Sequence, residues 1–167
     1  MTRDLDSKRA LERSPAWRQV MSFYRTLKPG LLLMRLPLVG PRLQKAFIPP
    51  DTDANWFIPV GESIPLGGQY ILPGELVARL LRAADEIFAM AACPCRTAFN
   101  CKEHSRSLGC LHLGPAVKGI PPELGRLLTL EQGLSHLEQA LADGLMPTIL
   151  HIPSEAEIFR VEKTHML

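Results

Sequence analysis

The sequence has no uninterrupted apolar run of about 18 residues, so a single membrane-crossing helix is not expected. The best candidate, Leu31–Leu43, is short and is broken by Arg35, Pro37, Gly40 and Pro41. The first twenty residues are polar and charged, which argues against a secretory signal. No Gly-x-Gly-x-x-Gly follows a strand-like run, no phosphate-binding loop ends in Gly-Lys-Ser/Thr, and no Ser–His–Asp set can be assigned by spacing. Nucleotide cradling and triad hydrolysis therefore lack a sequence basis. Basic helices interleaved with aromatics are also missing, so nucleic acid is not an expected partner. There are no internal repeats. Cysteine is absent from residues 1–92 and 111–167, which confines all thiol chemistry to one window.

The 167 residues are 46% apolar, enough for one compact domain with a real core. A net charge of +2 hides an uneven distribution. Residues 1–50 hold ten Lys/Arg and three Asp/Glu, about +7, whereas residues 51–167 hold nine and fourteen, about −5. Residues 1–50 are expected to form a basic extension, helical at first and then an amphipathic segment interrupted by Pro and Gly. It could face anionic lipid, an acidic partner or a second subunit, or lie as a strap over its own core.

Trp17, Val20, Met21, Tyr24 and Leu27 recur at helical spacing, and Pro29-Gly30 is expected to end that helix. Residues 51–167 are expected to form a small α/β domain of the α+β kind, with a few short strands and flanking helices. Trp56–Val60 and Gln69–Leu72 are strand candidates around the Gly61 and Gly67-Gly68 breaks. A helix is expected from Gly74 to about Asp85. Pro73 opens it without needing an N–H partner, and Glu75 is favourably placed in the first turn. Its apolar face is Leu76, Val77, Leu80, Leu81 and Ala84. Ile87–Ala92 reads as a buried strand leading into Cys93. Thr129 with Gln132 predicts a capped helix whose buried face is Leu130, Leu134, Leu137 and Leu141, closed by Gly144. Met146–Ile152 and Glu157–Val161 are the last strand candidates, as a hairpin around residues 153–156.

The cysteine window reads C-P-C-R-T-A-F-N-C-K-E-H-S-R-S-L-G-C, from Cys93 to Cys110. Cys93, Cys95, Cys101 and Cys110 are the four thiols needed to close a metal or iron–sulfur site. Pro94 helps fix a turn that lets the first pair face one centre. Gly109 allows a close backbone approach or a positive φ beside Cys110. Arg96 and Lys102 supply positive charge that would lower thiol pKa values. His104 and His112 stand beside the cysteines as alternative ligands, proton carriers or ordinary polar residues. His151, on a strand candidate, is read as a structural histidine. Phe99, Leu108, Leu111 and the Ile87–Ala92 run are expected to shield the site. Four readings compete: a [4Fe–4S] cluster, a structural zinc ion, a redox thiol pair and unliganded cysteines. C-x-C is atypical of zinc sites, which usually begin C-x2–4-C, and in a reducing cytoplasm close-set cysteines favour a metal or redox site over a disulfide scaffold. The cluster is the favoured reading, with Zn2+ as its rival.

Tyr70–Ile152 resembles a family of small iron–sulfur, ferredoxin-like proteins, mostly from anaerobic or metabolically versatile prokaryotes. The matching residues are Ile71-Leu72-Pro73, Cys93-Pro94-Cys95-Arg96, Cys101 and Cys110-Leu111-His112-Leu113-Gly114. Thr129-Leu130-Glu131 and Gly144-Leu145-Met146-Pro147 complete the pattern, and Phe57-Ile58-Pro59-Val60 resembles the family's opening strand. The resemblance implies a [4Fe–4S] cluster held by the four cysteines, more than it implies any physiological task. One-electron transfer or redox sensing with a redox partner protein is the expected use. Because four cysteines fill a standard cluster and leave no open iron, a non-catalytic electron-transfer or accessory role is favoured over an enzymatic one. Relatives often continue into a second cysteine-rich segment, whereas this sequence ends at Thr164–Leu167. Either the protein is a one-cluster member, whose electron transfer needs an external donor and acceptor, or its tail lies outside this sequence and a second cluster would make an electron wire. The expected location is the cytoplasm, where the basic extension could also make peripheral contact with the inner face of the membrane.

Overall fold

The computed structural model describes residues 9–38, 40–42, 54–57, 64–151 and 165–166. Helix α1 (Pro15–Leu33) begins at Ser14, whose Oγ accepts a hydrogen bond from Trp17 N at 3.0 Å, with Pro15 in the first helical position. Short helical turns lie at 9–13 and 40–42. Strand β1 (Ala54–Phe57) is followed by a hairpin of β2 (Ile64–Leu66) and β3 (Gln69–Ile71). Then come α2 (Pro73–Ala83), β4 (Ile87–Met90), the short α3 (Pro94–Ala98) and β5 (Leu111–Leu113). Two 3-10 turns, Pro115–Gly119 and Pro122–Leu124, lead into β6 (Gly125–Leu128). Helix α4 (Leu130–Ala142) and strands β7 (Thr148–His151) and β8 (His165–Met166) complete the described chain.

Six strands form one sheet in the order β1-β7-β8-β5-β4-β6, and every pairing is antiparallel. The fold is thus a mixed α+β domain, as its sequence pattern implies. Strand β4 is buried along its whole length because both of its faces are covered. Ile87 and Ala89 point to one side, where they join Leu111 and Leu113 of β5, Val77 and Leu81 of α2 and Leu137 of α4. Phe88 and Met90 point to the other, against Trp17, Val20, Met21 and Tyr24 of α1 and Val117, Ile120 and Leu124 of the 3-10 turns. The period-two alternation of a strand divides four consecutive apolar residues between two cores. The layers are α2 and α4, the sheet, then α1 with the 3-10 turns.

Several expectations hold locally. Pro73 opens α2, Glu75 lies in its first turn, and Glu75 pairs with Arg79 at 2.8 Å. Thr129 and Gln132 make a reciprocal capping box on α4, and Gly144 adopts φ +78° just past its end. Of the expected α4 face, Leu137 is buried and Leu134 partly so, but Leu130 and Leu141 are exposed at the two ends.

Other expectations are corrected. Pro29 does not end α1; the helix carries it internally and runs to Leu33. The expected boundary at residue 50 does not divide the core, since Trp17, Val20, Met21 and Tyr24 share one apolar cluster with Phe88 and Met90. Each fully buried large side chain there contributes about 1.5–3 kcal/mol, so α1 is structural before it is anything else. Strands β2, β5, β6 and β8 arise where no strand was expected. The Glu157–Val161 strand and its hairpin lie outside the described residues, as do residues 58–60 of the first candidate. Among the described residues, no helix is long and apolar enough to cross a membrane.

Candidate metal centre

Strand β4 delivers the chain to the site. Met90 N donates to Cys110 O at 3.0 Å, so the strand's last residue already touches the returning arm. Ala91 N donates to Leu124 O at 2.8 Å, which turns the chain out of the sheet. Cys93 then caps α3 in an extended conformation, and Pro94 occupies the first helical position, where its missing N–H costs nothing. Cys93 Sγ accepts from Arg96 N at 3.4 Å, while Thr97 Oγ1 donates back to Cys93 O at 2.7 Å.

Helix α3 ends at Phe99, and Asn100 turns the chain with φ +55°. Cys101 N donates to Arg96 O at 2.9 Å, which brings the third cysteine back beside the helix. The following loop is held by two arginines. The Arg96 guanidinium donates to the carbonyls of Ser105 and Leu108. Arg106 donates to Cys101 O at 3.0 Å and to Asn100 Oδ1 at 2.8 Å, and its own carbonyl accepts from Cys93 N at 2.8 Å. The loop is also tied to the end of α4. Asp143 Oδ2 accepts from Ser105 N at 2.9 Å, and Asp143 O lies 2.8 Å from His104 Nδ1.

Gly109 brings the fourth cysteine home. A Cβ at this position would lie 2.1 Å from Met90 O and 2.6 Å from Met90 Cβ. Of the two roles open to this glycine, close approach is the one used. Gly109 O also lies 2.8 Å from His136 Nε2 of α4. Cys110 then enters β5 beside β4.

Three of the four sulfurs, those of Cys93, Cys95 and Cys110, are neighbours. The thiols of Cys110 and Cys95 both hydrogen-bond to Cys93, and these contacts hold the Cys93 thiol far below its usual range. Burial opposes that shift, and the Arg96 backbone N–H and side chain add to it. Hydrogen bonds to a thiolate stabilise its charged form, whereas loss of water penalises it. Cys93 is buried, and Cys95, Cys101 and Cys110 are partly exposed. Among the described residues, no three His, Cys, Asp or Glu side chains already surround a common point that an ion would fill. Cys95 and Cys110 meet Cys93, whereas Cys101 is not among the groups acting on that thiol. An all-sulfur donor set on one short stretch of chain fits the chemistry of a cluster or a zinc ion.

The residues expected around the ligands fare differently. Arg96 is central, but its guanidinium binds the loop backbone. Gly109 is in place. Lys102 is exposed on the loop. His104 is partly exposed and tied to Asp143. His112 is not a rim residue: it is 1% exposed, within β5 opposite Phe88, and burial pushes its pKa down to about 4. Phe99 does not shield the site, because it is exposed. Leu111 is buried, but on the α2/α4 side of the sheet. Sequence reasoning passed over Arg106, His136 and Asp143. Arg106 lay in plain view inside the window; nothing in the sequence placed His136 or Asp143 near it.

A cleft of about 200 Å³ opens beside Cys110, between α4 and the segment entering β7. Its walls are mostly apolar, including Leu108, Leu137, Leu145 and Met146, with Arg96 and His136 among the polar lining. Cys110 is thus approachable from outside. No family model matches the chain, and no curated protein or solved structure is significantly similar to it.

Proposed function

We propose that Cys93, Cys95, Cys101 and Cys110 hold one [4Fe–4S] cluster for one-electron transfer or redox sensing, in a protein that docks on a redox partner or a membrane surface. The observation that carries this reading is the gathering of the Cys95 and Cys110 thiols at Cys93. The bound group would supply the redox change. The chain's own residues do the rest. Hydrogen bonds from its thiol neighbours and the Arg96 amide favour the thiolate form of Cys93. Arg96 and Arg106 fix the loop that carries Cys101. The cleft at Cys110 offers an apolar approach for a partner.

Purification without oxygen tests the reading. The expected product is brown, with broad visible absorption and about four iron and four sulfide per chain. Serine at Cys93 or Cys110 should abolish iron retention. A colourless protein with zinc and no iron after anaerobic preparation would sink the proposal and leave a zinc-stabilised interaction module.

A further inference from the structure

Helix α1 has two halves with opposite surroundings. Trp17, Val20, Met21 and Tyr24 anchor the first half in the core. The end of the helix and the turn after it expose Leu32, Leu33, Leu36 and Leu38, Leu32 by 67% and Leu38 by 82%. Arg35 and Arg42 are exposed beside them. A cluster of exposed leucines at one tip differs from scattered surface apolars, which need no explanation.

The charge along this stretch of the chain has one sign. Between Glu12 and Asp51 there is no acidic residue, while Arg13, Arg18, Arg25, Lys28, Arg35, Arg42 and Lys45 supply seven positive charges. A second copy of the chain would bring two such cationic faces together, which repel. An anionic bilayer complements both features: leucines enter the acyl boundary while arginines keep their heads among the phosphates. No described helix can cross the bilayer, so the element lies in the plane of the surface.

We propose that the C-terminal end of α1 and the following turn, with Leu32, Leu33, Leu36, Leu38, Arg35 and Arg42, form an in-plane anchor for an anionic lipid bilayer. This names the occupant of the docking face and rests only on the docking part of the proposed function, so its fate is separate from that of the cluster.

The test uses full-length protein prepared without oxygen, sedimented with vesicles of phosphatidylcholine alone or mixed with phosphatidylglycerol. Binding is expected to the mixed vesicles only, and it should weaken as salt is raised. The double variant Leu36→Asp, Leu38→Asp should bind at least roughly tenfold more weakly, since it places charge where apolar groups would be buried. Arg35→Gln and Arg42→Gln should each weaken binding about fivefold. All four positions are exposed, so helix content should stay at the parental level. Iron content measured on the same samples reports the cluster separately. The proposal is overturned by equal binding to both vesicle types, by binding to neither, or by a double variant that binds like the parent. It is equally overturned if the lipid-free parent is a dimer that the double variant dissociates, because the patch then belongs to a second copy.

Discussion

At Gly109 the absence of one methyl group lets the returning arm lie against Met90. Alanine there must displace a backbone carbonyl 2.1 Å away, not the end of a flexible side chain. Gly109→Ala should therefore cost about 1–3 kcal/mol, the usual range for overpacking, and should lower iron retention along with thermal stability. An unchanged melting temperature would mean that the arm does not pack this closely. The need for glycine was legible in the sequence as a choice between two roles, and only the contact with a distant residue decides between them. His112 teaches the converse. Beside Cys110 in sequence it looked like a second rim histidine, yet β5 is covered on both faces and carries it into the interior opposite Phe88.

At the scale of elements, the loop from Phe99 to Gly109 has no regular structure and is held by side chains acting on backbone. Arg96 alone satisfies two carbonyls, and each charge-assisted bond of this kind is worth about 1.5–3 kcal/mol. Arg96→Gln should raise amide hydrogen exchange across residues 100–109 while leaving α4 protected. If protection of that loop is unchanged, the arginine is not its clasp. The guanidinium was visible in the window as charge near thiolates; its actual use required knowing where the loop folds back. The capped helices were readable because capping is a relation between residues three apart. Strands β5 and β6 were not readable, because three or four residues become a strand only by pairing with β4, and nothing in their own residues announces that pairing.

At the scale of the whole molecule, the charge asymmetry suggested an appendage, but packing makes α1 part of the body. Trp17→Ala should destabilise the protein by about 3–5 kcal/mol, and removal of residues 1–50 should expose Phe88 and Met90 and yield aggregated or unfolded chain. A well-folded truncated protein with full iron content would overturn this. Composition measures what each segment carries, whereas the core depends on which faces meet. For that reason a boundary drawn from charge can run through a single apolar cluster.

The four cysteines all fall between the end of β4 and the start of β5, two strands that pair directly. Closing a chain on itself costs entropy that grows with the length closed, and here the closed segments are short. By contrast, β1 meets β7 by pairing Ala54 with His151, nearly the length of the domain away. The β4–β5 closure can therefore gather the cysteine-bearing segment locally, while its ties to His136 of α4 and to Asp143 at that helix's end, and the outer sheet, wait for the rest of the chain. Assembly of the site begins as a local event, and the far end of the chain clasps it afterwards.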